Sequence, residues 1–490
     1  MRKRRVIFRA DGNSQIGLGH VVRSLALADL LRGEFECVFA IQAPAKELQQ
    51  QIRQVCEGVI VLPPCAAAEE RYLHELDAYI SKEEIVVLDG YHFGTAYQQG
   101  VKNKGATLVC IDDIHAYRFV ADVVINQAGG VSETAYNHAS YTRLCLGPAY
   151  ALLRPPFLEA ANVARDIPDG RMRVLLSLGG ADPQNVTLQL AGELSSLSEA
   201  LQVEVVVGEA YRHQVVLQGW LQHHKNFTLH RNLDARQMCE LMRGCAVAVT
   251  AASGVAYEYA AIGGLLFIRQ TADNQQALYR FLTSSGLARR YEELPEVLSS
   301  TSLPAMFREQ AAGQRRQLDG QSGERLRRVF RGLSVAAGLR LRKATLDDRI
   351  LLFEWANDPQ VRQNSFNPDP ITLERHTQWF HELMADGKTL LYIAEVDGNP
   401  AAQIRFSTSG GKASISYMIS AAFRGLGLGH LVLLRGVEKL KESLAGIEQV
   451  EGLVQQENYA SVRSFEKAGF RRGAPDPGHP GALRFVLPLA

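Results

Sequence analysis

Two glycine-rich turns at opposite ends of the chain carry residue types suited to phosphate. In RADGNSQIGLGHVVRSLALADLL, Gly17 and Gly19 are followed at once by His20; in SISYMISAAFRGLGLGHLVLLRGVEKL, Arg424 precedes Gly425, Gly427 and Gly429. Each turn follows a β-prone run and opens an amphipathic helical pattern. Glycine lets backbone N–H groups approach a pyrophosphate, and the helix N-terminus adds partial positive charge at the same place. Two such turns predict two phosphate-bearing ligands and two active sites. A histidine that opens a helix meets the positive end of the macrodipole, which disfavours its cation and suits His20 to take a proton as a general base.

Other residues with chemical potential stand just after β-like runs, where ligands of doubly wound sheets bind. In the first third of the chain these are Arg9, Asp11, Asp89, Tyr91, His92, Asp112 and Asp113. Further on, RVLLSLGGADPQNVT places Gly179 and Gly180 after a strand, with Asp182 and Asn185 positioned to cap the next helix. The run VTAASGVAYEYAAIGGLLFIRQTADNQ sets Ser253 and Gly254 at a helix start, Glu258 one turn in, and Asn274 and Gln275 after the next strand. Backbone N–H groups for a pyrophosphate and a carboxylate for ribose hydroxyls are the parts that a nucleoside diphosphate requires.

The elements that must position these groups follow from periodicity. Short runs that are apolar on both faces (VIFRA, CVFAI, EIVVLDG, TLVCIDD, then RVLLSLGG, VEVVVG, VAVTAAS, LLFIRQ) alternate with helical patterns through the first three hundred or so residues, which predicts parallel sheets of βαβ units. The proline-bearing stretch 152–171 reads as an interdomain linker, and a strand-like LRLRKAT after a polar, Arg- and Gln-rich helical segment opens a differently organised module near residue 337. The expected domains are 1–155, a Rossmann-like domain with the histidine; 170–336, a second Rossmann-like domain that binds nucleotide; and 338–490. A formal net charge of +1 offers no field for nucleic acid or anionic membrane, so small-molecule substrates are expected. The basic start MRKRR lacks an apolar run behind it and no stretch reaches the length of a membrane span, which predicts a cytoplasmic protein. Seven scattered cysteines without a C-x-x-C pair predict neither a zinc site nor a disulfide framework.

Four segments together, FRADGNSQIGLGHVVRSLALA, LDGYHF, LSLGGADPQN, and TAASGVAYEYAAIGG followed by DNQ, resemble the nucleotide-sugar hydrolases of pseudaminic acid biosynthesis over about residues 4–310. These look like GT-B glycosyltransferases in which water replaces the sugar acceptor. The resemblance implies hydrolysis of UDP-2,4-diacetamido-2,4,6-trideoxy-β-L-altropyranose at the anomeric carbon without a metal. His20 would activate water and Tyr91 and Asn274 would hold the substrate. Glu258 would take the ribose, and Asp11, Gly17, Gly19, Gly180 and Ser253 would complete the UDP-sugar site. A base facing a diphosphate leaving group across a cleft favours attack from the opposite face, hence inversion. The chain departs from the pattern at Gly90, where a histidine is usual, and His92 stands nearby.

The later turn Arg424-x-x-Gly427-x-Gly429, followed by Asn458, Ser461 and Lys467-Ala468-Gly469-Phe470, resembles the GNAT acetyltransferases over about 150 residues. The resemblance implies an α/β domain with a mixed sheet and acetyl-CoA as co-substrate. Arg424, Gly425, Gly427 and Gly429 would cradle the pyrophosphate, Met418 would lie beside the pantetheine, and Asn458 near the thioester. EWANDPQVRQNSF with Ile371, His376 and TQWF resembles the transferases that acetylate the 4-amino group of a UDP-linked amino sugar, and also those that act on ribosomal protein N-termini. Glu395 is one candidate base. The position where many relatives carry a proton-donating tyrosine is Phe465, leaving Tyr417, Tyr459 or water for that role; a tyrosine at 465 is expected to be neutral or beneficial. The whole therefore reads as two Rossmann-like domains in a GT-B arrangement followed by a GNAT domain. Such an enzyme would use a UDP-linked amino sugar and acetyl-CoA and serve cell-surface glycans such as those of flagellin, beside other enzymes of the sugar pathway. A glycosyltransferase carrying an acetyltransferase and a nucleotide-sugar sensor without turnover remain alternatives.

Overall fold

The computed structural model describes residues 3–12, 18–168, 171–179, 182–208 and 210–489, and of Asn274 only the backbone. The chain divides into two compact units, 1–327 and 328–490, and the division falls within the helix Ser322–Gly338.

The first unit holds two parallel sheets. Strands β1 (Arg5–Ala10), β2 (Glu36–Gln42), β3 (Gly58–Leu62), β4 (Ile85–Asp89), β5 (Thr107–Ile111), β7 (Val123–Asn126) and β9 (Arg143–Leu146) assemble in the order β3-β2-β1-β4-β5-β7-β9, and β6 (Arg118–Phe119) pairs with β8 (Asn137–His138) beside them. The second sheet takes β10 (Arg173–Ser177), β11 (Gln202–Val207), β12 (Phe227–Arg231), β13 (Val247–Ala251), β14 (Leu265–Arg269) and β15 (Arg289–Arg290) in the order β12-β11-β10-β13-β14-β15. Both orders reverse beside their first strand, which is the switch point where doubly wound folds bind ligands. The expected Rossmann-like pattern arises because β4 and β13 are buried along their whole length, so each requires helices on both faces.

The segment 152–171, read above as an interdomain linker, contains an ordered helix. Pro155 and Pro156 start the helix Pro155–Ala161, which buries Phe157 and Leu158. Proline suits this first turn, where its missing N–H would have no partner.

The second unit has one mixed sheet, β16 (Leu339–Lys343), β17 (Thr389–Val396), β18 (Asn399–Ser409), β19 (Lys412–Ile419), β20 (Gln449–Gln455), β21 (Arg471–Arg472) and β22 (Ala482–Pro488), ordered β16-β17-β18-β19-β20-β22-β21. Only β19 and β20 run parallel, and they pair through Lys412–Ser414 alone before diverging. The sheet is therefore open from Ile415 onward. Its core lies under the helices Leu428–Ser443 and Tyr459–Lys467. Among the described residues no helix is long and apolar enough to cross a membrane.

Candidate active sites

In the first unit the helix Gly19–Leu31 has, among the described residues, no side-chain cap at its start. His20 sits on its first turn, and its Nδ1 lies 2.7 Å from Oδ1 of Asp89, a fully buried carboxylate at the end of β4. Asp89 also accepts from Arg23 Nε at 2.8 Å and Arg23 Nη2 at 2.6 Å, and from Ser24 Oγ at 3.1 Å. Burial alone would raise the Asp89 pKa, but the Arg23 charge and the hydrogen bond from His20 outweigh it and hold the carboxyl below its ordinary range. Arg23 Nη2, a donor only, also lies 3.1 Å from His20 Nδ1, but the Asp89 contact is the shorter; an ionised Asp89 there favours the proton on Nδ1, with Nε2 as the acceptor. Tyr91 stands edge-on to the His20 ring, with centroids 4.7 Å apart. Arg23 Nη1 reaches on to Asp113 Oδ2 at 2.8 Å.

A second cluster lies beside it. Asp11 accepts from the buried Arg9 at 2.6 Å, and Arg9 also donates to Glu75 at 2.7 Å. His92 Nε2 is 3.5 Å from the other Asp11 oxygen. Burial would raise the Asp11 pKa; His92 and Arg9 overcome that and hold it well below the usual carboxylate range. Gly90 lies under the Phe93 ring, where a Cβ would come within 2.9 Å, so this turn has no room for the histidine usual in the resemblance.

Residues past the carboxyl ends of the two sheets meet each other. Tyr257 donates to the Gln127 carbonyl at 2.8 Å, and Gly129 packs so closely on Phe281 that a Cβ would overlap the ring. Ser253 begins the helix Gly254–Ile262 without spending its hydroxyl on a cap. Glu258 is 7% exposed, and its oxygens accept from Arg154 at 2.6 and 2.9 Å, which leaves one lone pair on each. Asp182 caps the following helix through Val186 and Thr187 N–H, whereas Asn185 adopts a left-handed conformation and accepts from Tyr211. Gly17, Gly180 and the Asn274 side chain lie outside the described residues.

In the second unit Gly425 and Gly427 have φ of 76° and 79°, a region that favours glycine, and the helix Leu428–Ser443 follows without a side-chain cap. The Arg424 side chain does not point its charge into that turn alone. It donates to Asp358 at 2.6 Å, to Gln360 at 3.1 Å and to the Ile419 carbonyl at 3.1 Å, so it ties the turn to the helix Pro359–Gln363. Met418 pairs with Gln403 of β18 and has its other edge on the sheet opening. Gly429 permits close packing of two helices, since a Cβ there would lie 2.5 Å from Ser464 Oγ. Asn458 caps the helix Tyr459–Lys467 by accepting from Ser461 N–H at 3.2 Å. Tyr417 donates to Ser461 Oγ at 3.2 Å, and burial raises its pKa, which keeps its proton in place at neutral pH. Glu395 accepts from Arg342 at 2.6 Å on β17, two strands from β19, and so stands away from the opening.

A family model described as an acetyltransferase (GNAT) domain matches residues 338–471. The C-terminal unit is a GNAT acetyltransferase domain. Solved structures similar to the chain include aminoglycoside acetyltransferase AAC(6')-Ib with coenzyme A (23% identity, 31% of this chain and 94% of that one, TM-score 0.28). Spermidine N-acetyltransferase from Vibrio cholerae is similar at 14% identity, over 31% of this chain and 96% of that one, with TM-score 0.28. Among curated proteins, MJ1062 of Methanocaldococcus jannaschii is 20% identical over 94% of this chain and 96% of its own length. The UDP-2,4-diacetamido-2,4,6-trideoxy-beta-L-altropyranose hydrolase of Campylobacter jejuni is 23% identical over 59% of this chain and 99% of its own. The Bacillus subtilis spore coat polysaccharide biosynthesis protein SpsG is 22% identical over 57% and 81%.

Several residues of these sites carry weak sequence signals. Arg23 follows His20 by three positions, which places both on one helix face, so its role was readable from spacing. Glu75 lies in a polar stretch far from Arg9 in sequence, and only the fold joins them. In the GNAT domain, Asp358 and Gln360 are polar residues around a proline whose tie to Arg424 depends on tertiary placement. Among the described residues no group of three or more His, Cys, Asp or Glu side chains is arranged to hold a metal ion.

Proposed function

We propose that the chain is a bifunctional enzyme of amino-sugar biosynthesis that N-acetylates a UDP-linked 4-amino sugar and hydrolyses the resulting UDP-diacetamido sugar. The observation that carries the hydrolytic half is the buried Asp89–His20 pair beside an uncapped helix N-terminus. In that half, His20 Nε2 takes a proton from water as the oxygen bonds to the anomeric carbon. The bond from that carbon to the diphosphate oxygen breaks, and UDP leaves with the electron pair. Asp89 keeps the imidazole oriented and stabilises the imidazolium that forms. Ser253 and the helix it opens, with Glu258, would receive the nucleotide; Tyr91 and Asp11 would face the sugar. The names of the Campylobacter and Bacillus relatives, both concerned with sugars, support this substrate class.

In the GNAT domain the turn at Gly425, Gly427 and Gly429 binds the acetyl-CoA pyrophosphate through backbone N–H groups, and the open edge at Met418 receives the pantetheine. The neutral acceptor amine attacks the thioester carbon, the nitrogen gives up one proton to water, the C–S bond breaks, and Tyr417 gives its proton to the departing thiolate and regains one from solvent. Arg424 holds the acceptor-side segment against the turn, and Asn458 fixes the helix beside the opening.

Mass spectrometry of the full chain with the UDP-linked 4-amino sugar tests both halves. Free diacetamido sugar and UDP are expected only when acetyl-CoA is present. An acetylated sugar that stays attached to UDP removes the hydrolase and favours a transferase or a sensor, and no acetylation removes the amino-sugar acceptor.

A further inference from the structure

Arg405 lies in the middle of β18, and the register of the sheet fixes its neighbours. Leu391 of β17 and Ser416 of β19 flank it on the same face, and Gln403 stands next along the strand between Ile393 and Met418. Ile404 and Phe406 alternate with them and turn to the opposite face, toward Gly436 of the helix Leu428–Ser443. The Arg405–Ser416 row lies two residues beyond Ser414, the last residue of β19 to pair with β20. Arg405, paired on both sides, therefore lies one strand in from the edge of β19 that has parted from β20.

The guanidinium stacks on the Trp379 ring at 5.4 Å and, among the described residues, has neither a hydrogen-bond partner nor a carboxylate. Three arginines of the same domain pair with carboxylates, Arg342 with Asp348 and Glu395, Arg424 with Asp358 and Arg484 with Glu451, and Arg362, which has no carboxylate, donates to the Asn367 and Asp369 carbonyls. Burial without a counter-charge lowers the Arg405 pKa from its ordinary value. Arg405 is half-buried, and a partly desolvated cation without an anion is an unfavourable arrangement that a single aromatic face offsets only in part. Trp379 is 36% exposed, so one side of the pair faces outward.

We propose that Arg405, backed by Trp379, is the acceptor-side anion site of the GNAT domain, taking a phosphate of a nucleotide-linked amino sugar. The proposal rests on the acceptor class given above. A planar fork of donors suits two oxygens of a phosphate, and the missing counter-charge arrives with the substrate. A neutral or cationic amine would leave the arginine unpaired, so the same residue selects against such acceptors.

The test is steady-state acetyl transfer by the full chain in a His20→Ala background, so that UDP stays attached. The acceptors are the UDP-linked 4-amino sugar, the same amino sugar without its nucleotide, and an amino sugar acid. Arg405→Gln is expected to raise KM for the UDP-linked amine about ten- to a hundredfold, the range for losing a charge-assisted hydrogen bond. The kcat, the KM for acetyl-CoA and the KM for the nucleotide-free sugar should hardly change, which also reports an intact fold. Arg405→Lys should recover part of the loss. Equal losses for both sugars, or an unchanged KM for the UDP-linked amine, overturn the proposal. If the parent chain ignores the UDP-linked amine yet acetylates the sugar acid in an Arg405-dependent way, the anion site stands and the nucleotide acceptor falls. Acetylation of uncharged or cationic amines alone removes both.

Discussion

The tetrapeptide Gly-Leu-Gly-His occurs at 17–20 and again at 427–430, and its two histidines meet different surroundings. His20 has a buried carboxylate on Nδ1, whereas His430 is held below its ordinary pKa by burial and by Lys467. Sequence marked both turns as anion cradles, but the carboxylate that orients one histidine came from β4, sixty-nine residues away. His20→Ala should abolish UDP release while UDP affinity stays nearly unchanged, measured by product assay and calorimetry; full turnover removes it from the role of base. Asp89→Asn should lower turnover about a hundredfold or more, because the imidazole loses its fixed tautomer. The same substitution also tests linkage. A carboxyl with a depressed pKa contributes stability that is fully present above the ordinary carboxylate range and is lost as pH falls through the depressed value. The stability gap between parent and Asp89→Asn should therefore persist down to about pH 4 and close only below it, as denaturant titrations at several pH values will show. Phe465 was readable as a missing acid but not as a core residue. It is 2% exposed, packs on Phe470 and Phe485, and its ring tip sits where a Gly452 side chain would be. Phe465→Tyr should cost about 1–3 kcal/mol in stability while the transfer rate stays unchanged, the first of the two rate outcomes expected from the sequence.

At the scale of elements, the strands of both parallel sheets were legible because runs apolar on both faces have few other homes. The helix Pro155–Ala161 was not, since its two prolines resemble a break unless they fall in a first turn. The glutamine-rich segment also hid its purpose. On the helix Leu303–Gln317, Gln314 is fully buried; it accepts from Gly264 N–H at 2.9 Å and donates to the Gly264 and Leu287 carbonyls at 3.0 and 2.7 Å. Strand β15 pairs with β14 only at Phe267 and Ile268, so the start of β14 has β13 on one side but no strand on the other, and this side chain takes its place there. A polar composition suggested a solvated helix, and only the short partner strand explains why it is buried. Gln314→Leu keeps the volume but leaves these backbone groups unpaired, and should destabilise the first unit by about 2–4 kcal/mol, read as a lower denaturant midpoint with unchanged slope.

For the whole molecule, the order of the modules was legible from the change in strand pattern near Leu339, and the archaeal relative MJ1062 matches across nearly the same length. Which arginines are spent on structure and which wait for substrate was not, because pairing depends on carboxylates brought in from other elements. Gly427→Val places a β-branched residue at φ 79° with open space around its Cβ, so the strain stays within the turn. Acetyl-CoA KM should rise at least about tenfold while UDP release from a pre-acetylated substrate is unchanged; a fall in both activities would show that the units are coupled. The divergence of β19 from β20 has one more consequence. From Ile415 onward β19 keeps β18 on one side but has lost β20 on the other, and in the proposed binding mode the pantetheine arm would fill that edge as a missing piece of the sheet. By mass action, a pool at a hundred times Kd adds about 2.7 kcal/mol to the stability of this domain. Resistance of this domain to protease digestion should thus rise with acetyl-CoA concentration even when no sugar is present.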